Sequence, residues 1–347
     1  MAELSDRQRS ILLLVIRDYI ESGLPVGSAH LVENYKLNIS TATIRNEMVA
    51  LTELGYLRQP HTSAGRVPTE EGYRFLVSQT TLQAELPEPV QNTILHQFHQ
   101  SRPEVDQWMT LAASVLASHS QAISLVTAPF ADRNRVKHIE LISTQGRQVL
   151  MVMVMYGGAV NQQFLTIAEP VSQEKLSEVA QKVNIHFRGK TSEEIHHANF
   201  HFDALESDIL HLIMVELNRV DDKGGGHIYY DGLSNMMAVK DFSGSDDAAN
   251  ALRLIDERTS LRELIQSTAN NTGPGDVNVV IGGEGGWHEL KKYSMVLARY
   301  GVPGYISGTL GVLGPMRMAY SRTIPTVRYV ANILSDIVLD NFIEQSN

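Results

Sequence analysis

The stretch Ser40-Thr41-Ala42-Thr43-Ile44-Arg45-Asn46-Glu47-Met48-Val49-Ala50-Leu51-Thr52-Glu53-Leu54-Gly55 reads as one amphipathic helix with both ends marked. Ser40 caps its start and Gly55 takes the position just past its end. At roughly 100° per residue, Ile44, Met48 and Leu51 share one face and must be buried. Ala42, Asn46, Val49 and Glu53 lie opposite, with Arg45 to one side. Upstream, Ser5 and Gln8 make a capping box ahead of Ile11, Leu12, Val15, Ile16, Tyr19 and Ile20, and Gly23 and Pro25 stop that helix. Ser28 caps a short second helix over 29–35, and Lys36-Leu37-Asn38-Ile39 turns the chain into the stretch quoted above. Downstream, strand-like runs at 56–59 and 66–68 bracket the turn-rich Pro60-His61-Thr62-Ser63-Ala64-Gly65. Thr69 then caps a further helix, with Glu70 and Glu71 well placed against the positive end of its dipole. Three helices followed by a two-stranded hairpin is the order of a winged helix-turn-helix.

The exposed face of the third helix carries residue types that read base edges. Asn pairs bidentately with adenine, Arg with guanine or a phosphate, and a small apolar group meets a thymine methyl. The candidate DNA-contacting residues of this helix are therefore Ser40, Thr41, Ala42, Thr43, Arg45, Asn46 and Val49. Thr41 and Thr43 stand near the helix N-terminus, where phosphates are favoured. Arg58, His61, Thr62, Ser63 and Arg66 are the candidates of the hairpin, with Arg58 and Arg66 suited to backbone or minor-groove contact. By pattern alone, the solvated faces of a small helical domain fit these positions as well as a DNA-binding surface does.

The whole chain sets the frame. At 347 residues it is long enough for two or three domains, and its 43% apolar and 20% charged residues describe an ordinary globular protein. The net charge of −10 is unevenly spread: residues 1–80 hold eight Lys and Arg against nine Asp and Glu, so nearly all the acidity lies beyond them. Residues 56–68 include Arg58, His61 and Arg66 and no acid, leaving a small basic edge where phosphates can be met. With no cysteine, disulfides, thiolate catalysis and Cys-based zinc sites are excluded. No apolar run approaches the roughly 20 residues of a membrane span, and the N-terminus lacks the order of a signal peptide. A cytoplasmic location is expected, with no membrane partner.

Beyond residue 78 the pattern changes. Residues 79–103 are polar and hold Pro87, Pro89 and Pro103, which reads as a helical or extended linker. An amphipathic helix is expected near 104–118, then strands at 122–127, 136–143, 148–156 and 159–167, and a helix over 172–187. The run Val149–Met155 is apolar on both faces, so a central, doubly covered strand is expected there. Residues 190–275 differ in composition, with several histidines, Gly224-Gly225-Gly226 and an acidic stretch at 241–247. Helical patterns at 202–220 and 247–266 flank an irregular middle. Strands resume at 277–281, 294–300 and 304–313, and a helix over 322–342 closes the chain. That order suits one α+β domain interrupted by an insertion.

The remaining chemistry-bearing residues give weaker signals. His196, His197 and His201, with Asp203 and Glu206 nearby, have spacings that can converge on a metal, but histidines on a polar helix are more often solvated. The glycines at 282–286 and 308–314 lack the spacing of phosphate-binding loops and fit strand turns and close packing better. Asp231, after two tyrosines and before Gly232, reads as a turn. Met151, Met153 and Met155 alternate along a strand and suit a core. No nucleophile–base or carboxylate pair stands out, so no enzyme and no cofactor is expected. A ligand- or metal-sensing regulator carrying a winged helix is the alternative reading.

Several long blocks resemble the signatures of the heat-inducible transcription repressor HrcA family. They are Pro25–Ser28, Ser40–Met48, Pro60–Thr69, Gly72-Tyr73-Arg74, Tyr229–Gly232, Ile281–Glu284 and, within 308–320, Gly311–Met318. The resemblance spans nearly the full length; residues 190–275 resemble the family weakly, and Gly224–Gly226 departs from its pattern. It implies an α+β multidomain architecture: a winged helix-turn-helix at 1–78, a linker at 79–103, a GAF-like domain at 104–189 and 276–347, and an inserted dimerising domain at 190–275. It further implies a homodimer that binds double-stranded DNA at the inverted-repeat operator CIRCE and represses chaperone operons. The chaperonin GroEL is implied as the partner that keeps the repressor active.

Overall fold

The first helix, α1 (Asp6–Ser22), starts where its sequence says it should. Ser5 Oγ accepts from the Gln8 amide at 3.3 Å, and Gln8 Oε1 accepts from the Ser5 amide at 3.1 Å. Gly23, at φ +68°, ends it in the left-handed conformation that glycine adopts without strain. The helix buries Ile11, Leu12, Val15 and Ile16 against α2 (Ser28–Tyr35) and α3 (Thr41–Glu53), whose own core residues are Leu31, Ile44, Met48 and Leu51. Helix α2 begins one residue earlier than expected, with Gly27 rather than Ser28 as its cap. Asp18, buried inside α1, is held by His30 Nε2 at 3.1 Å and Asn34 Nδ2 at 3.4 Å, both on α2. The structure is a computed structural model that describes residues 4–62, 64–80, 85–131, 135–156, 160–197, 203–222, 227–238, 276–284, 290–302 and 305–343. The helix expected at 247–266, the acidic stretch, Ser63, His201, Gly224–Gly226 and Gly285-Gly286 lie outside those residues.

Strands β1 (Leu57–Arg58) and β2 (Val67–Pro68) pair antiparallel, and α4 (Glu70–Thr80) follows with Thr69 as its cap, its Oγ1 accepting from the Gly72 amide at 3.2 Å. The hairpin is tied to the start of α2 by a two-bond bridge, Val26 N to Arg66 O at 2.9 Å and Arg66 N to Val26 O at 2.8 Å. That approach leaves no room for a side chain at Gly65, where a Cβ would run into the Val26 carbonyl.

Past the winged helix, the segment expected as a helical or extended linker contains a full helix, α5 (Glu88–Gln100), that buries Ile94 and Phe98. Next come α6 (Val105–Ser120), β3 (Ile123–Thr127), β4 (Phe130–Ala131), β5 (Val136–Ser143), β6 (Gln148–Met155) and β7 (Val160–Thr166). Helices α7 (Gln173–Phe187), α8 (Ser192–His196) and α9 (Ala204–Asp222) precede β8 (Ile228–Asp231) and α10 (Leu233–Ala238). The chain finishes with β9 (Val277–Ile281), β10 (Tyr293–Val302), β11 (Ile306–Pro315) and α11 (Tyr320–Val338). No helix among the described residues is long and apolar enough to cross a membrane.

Two compact units divide these elements. One comprises residues 1–128, 228–300 and 309–334, and the other 129–227, 301–308 and 335–347. The first unit contains the winged helix and most of a sheet ordered β8-β3-β11-β10-β9. Both faces of β10 and β11 are buried, and the glycine run of β11 serves that packing: a Cβ at Gly311 would strike the Val296 carbonyl and Leu297 of β10. Tyr300 is fully buried, and its hydroxyl donates to the Thr127 carbonyl at 2.5 Å. Residues 228–231, inside the span expected for the insertion, form a strand of this sheet, and the expected turn at Asp231 is its last residue. The Tyr229 hydroxyl bonds the Asp106 carboxylate of α6. Burial, with that hydrogen bond, pushes the Tyr229 phenol up to about 12.

The second unit is a meander, β5-β6-β7, packed on α7, α8 and α9. Its core comprises Ile139, Leu141, Val149, Met151, Met153 and Met155 of the strands with Val179, Val183, Phe187, Ile209, Ile213 and Leu217 of the helices. The methionines are core, as expected. The strand Val149–Met155 is central but not doubly covered: Leu150, Val152 and Val154 stay half-exposed, because the helices pack on one face of the meander only. Glu206 is buried at the start of α9. Asp203 and Glu206 cap each other's amides at 2.8 and 2.9 Å, and Lys182 Nζ reaches Glu206 Oε2 at 2.6 Å.

Two outcomes follow from these contacts. Replacing Gly65 with Ala forces the hairpin off the Val26 backbone and lowers stability by about 1–3 kcal/mol, as overpacking does; calorimetry checks it, and an unchanged melting point contradicts the bridge. The Lys182 hydrogen bond holds the Glu206 carboxyl below its ordinary value against the opposing effect of burial. A depressed carboxyl contributes stability above its ordinary pKa and loses it as pH falls through that range. Lys182→Met is therefore expected to cost about 1–3 kcal/mol near neutral pH, with the gap to the parent protein closing in acid. Urea titrations at both pH values read this, and a gap independent of pH refutes it.

Candidate nucleic-acid interface

Helix α3 is held by its buried stripe, and that fixes what it shows to solvent. Ile44 and Leu51 are inaccessible and Met48 nearly so, whereas Thr41, Ala42, Arg45, Asn46, Val49 and Glu53 are exposed. Val49, a large aliphatic side chain in the middle of the helix, is 39% exposed on this face. Ala42, Asn46 and Val49 follow one another along the helix at four- and three-residue steps, with Arg45 alongside, so a single strip runs from the helix start to its middle.

The helix N-terminus is built from its own hydroxyls. Ser40 Oγ accepts from the Thr43 amide at 3.1 Å and lies 2.8 Å from Thr43 Oγ1. Those two hydroxyls are engaged in the cap, with Ser40 exposed and Thr43 half-buried, while Thr41 stands fully outside. The one acid on the N-terminal half of the helix, Glu47, is half-buried and ion-paired with Arg7 of α1, whose Nε donates to it at 2.7 Å. Its charge is thereby balanced, and Arg45 remains the dominant charge of the strip.

The hairpin stands beside this strip. Arg58, His61 and Thr62 are exposed, and Ser63 lies outside the described residues. Arg66 is half-buried, and its Nε donates to Thr52 Oγ1 of α3 at 3.0 Å, so part of its donor capacity is turned inward to fix hairpin against helix. Gln59, which the sequence reading passed over, does the same for the loop. Its Nε2 donates to the carbonyls of Thr62 at 2.9 Å and Ala64 at 3.1 Å. A side-chain amide entering a tight hairpin was the only available signal for that role. Between the Val26–Ser28 turn, Arg45 and Val49 of α3, and Gln59, Thr62 and Arg66 of the hairpin lies an open cleft of about 430 Å³.

A protruding helix with an exposed Asn–Arg–Val strip, flanked by a braced hairpin with cationic side chains, presents hydrogen-bonding and apolar groups of the kind that read a major groove. His196 and His197 lie ring to ring at 5.8 Å, and no group of three or more His, Asp or Glu among the described residues is placed to hold a metal ion.

Comparison with known proteins agrees with this geometry. The family model described as the winged helix-turn-helix transcription repressor, HrcA DNA-binding, matches residues 3–82, and the HrcA protein C terminal domain matches residues 106–324. The heat-inducible transcription repressor HrcA of Roseiflexus castenholzii is 42% identical over 346 residues, covering 97% of this chain and 95% of that protein. The repressor of the same name from Thermomicrobium roseum is 36% identical, with 97% and 96% covered. Among solved structures, the crystal structure of a hypothetical protein at 2.2 Å resolution superposes with a TM-score of 0.63 at 23% identity, covering 97% of this chain and 99% of that one, so it shares the fold. With both family models matched in chain order and relatives similar from end to end, the chain belongs to the HrcA family of heat-inducible transcription repressors.

Proposed function

We propose that this protein represses chaperone operons by binding the inverted-repeat operator CIRCE as a homodimer, and that the chaperonin GroEL keeps it in its active form. The observation that carries the reading is the exposed strip of α3, in which Val49 and Asn46 face solvent beside Arg45. In this reading Asn46 and Arg45 contact base edges, Ala42 and Val49 meet thymine methyls, and Ser40, Thr41 and Thr43 approach phosphates at the helix start. Arg58, His61, Thr62, Ser63 and Arg66 belong to the wing, whose cationic side chains follow the DNA backbone. The family resemblance supports the chaperonin as partner. Added chaperonin is then expected to raise the fraction of operator bound.

The second unit supports the dimer. On the face of its sheet away from the helices, Ile142, Leu150 and Phe164 lie side by side across three strands, and His138, Val154 and Val160 form a parallel row. Ile142, Val160 and Phe164 are exposed, Phe164 by 58%. A β-sheet with apolar residues on both faces needs cover on both, and a second copy of the same face supplies it symmetrically. We therefore assign dimerisation to residues 129–227, inserted into a GAF-like domain whose sheet is β8-β3-β11-β10-β9.

Asn46→Ala is expected to weaken operator binding by about 1–3 kcal/mol while leaving random DNA unaffected. Fluorescence anisotropy on both DNAs reads it, and equal effects on the two would remove Asn46 from base recognition. Phe164→Asp is expected to shift the protein to monomer in sedimentation velocity and to abolish cooperative occupancy of the two half-sites. A dimer that survives this substitution places the interface elsewhere.

A further inference from the structure

Three sequence blocks have no part in reading DNA: Gly72-Tyr73-Arg74, Ile281–Glu284 and Gly311–Met318. All three meet at one junction. Arg74, on α4, forms an ion pair with Glu284, its Nε donating to Glu284 Oε1 at 3.1 Å, and its Nη1 donates to the Val279 carbonyl at 2.9 Å. One guanidinium thus grips both the backbone of β9 and the residue just beyond it. Beside it, Gly282 sits at φ +61°, where a Cβ would come within 2.6 Å of Glu70 Oε1 at the start of α4. A second grip comes from another helix. Arg317 Nη1 reaches the Ile20 carbonyl at the end of α1 at 3.4 Å, and its guanidinium faces Gly23. Between the two, the rings of Tyr73 and Tyr320 pack at 6.1 Å.

One attachment would leave a hinge; two attachments on different helices set an angle. Arg74 is about one-third exposed, and burial lowers its affinity for the proton against the opposing influence of Tyr320 and Glu71. The contacts are directional, with a planar fork matched to a carboxylate and a carbonyl, which is what orientation requires and general adhesion does not.

We propose that Arg74 and Arg317 are positioning residues for operator recognition. They hold the winged helix at a set angle on the sheet of the first unit, and so narrow the distances open to the two recognition helices of a dimer. This inference rests on the dimeric reading above. In a two-fold protein that distance selects the spacing of the half-sites, and rigid linkage gives the second half-site contact its advantage over the first.

The test uses the full chain and a series of inverted repeats whose half-sites are separated by spacers of increasing length, plus a single half-site. The parent protein should show a sharp affinity optimum at one spacing. Arg74→Met and Arg317→Met, which keep the apolar stems and share no contact, should each flatten that optimum, losing about tenfold or more at the best spacing. Single half-site affinity should stay within about twofold, which also shows that the winged helix remains folded. Glu284→Gln should act as Arg74→Met does. Variants that keep the parent optimum overturn the proposal, as do variants whose half-site binding falls in proportion or whose binding at the best spacing rises. A parent protein with no spacing optimum overturns the dimeric reading, and the positioning role with it.

Discussion

The bridge between Val26 and Arg66 is a small contact on which the DNA-binding surface depends. A two-residue hairpin strand has almost no stability of its own, and β1 and β2 contribute only two residues each. What fixes the wing is the backbone approach at Gly65, the Arg66 Nε bond to Thr52 and the Gln59 bonds that close the loop. Each links the wing to the turn before α2, to α3 or to itself. Helix and wing are therefore joined by backbone and side-chain hydrogen bonds on either side of the cleft. A floating wing would pay ordering entropy each time it met DNA.

The two sheets solve burial in different ways, and the difference has functional weight. In the first unit, β10 and β11 are covered on both faces, with glycines in β11 allowing close approach. In the second, β6 is just as apolar, yet one face has only half-exposed side chains next to exposed Ile142, Val160 and Phe164. Both strands read alike in sequence. The distinction lies in which elements are available to cover them, and an apolar face left open in a single chain is where a second chain gains the most.

Legibility followed the range of the physics involved. Caps, stop signals and helical periodicity are local, so the first three helices and the start of the fourth could be read within a residue or two, including the capping box at Ser5 and Gly55. The exposed strip of α3 was equally legible, because a period of 3.6 residues separates its faces without reference to anything else. Contacts that join distant residues were not legible. Nothing near Gln59 announces that its amide closes the wing, nothing near Asp18 announces His30 and Asn34, and nothing near Arg74 announces Glu284, 210 residues away. The strand at 228–231 was missed for the same reason: Asp231 before a glycine reads as a turn until β3 is seen beside it.

The charge distribution adds the last step. A protein of net charge −10 is repelled by DNA at long range, so bulk attraction contributes little to its affinity. In the N-terminal half of α3 the one acid, Glu47, is paired with Arg7, while Glu53 stays exposed at the far end, so the strip offers specific contacts more than field strength. On the dimeric reading, the angle between winged helix and body then matters as much as the contacts themselves. On the positioning role proposed for Arg74 and Arg317, loosening their junction would weaken operator binding without moving the proposed recognition residues. A repressor that has to let go on heating gains from storing its affinity in that geometry, since directional polar contacts between domains open at lower cost than a buried core unfolds.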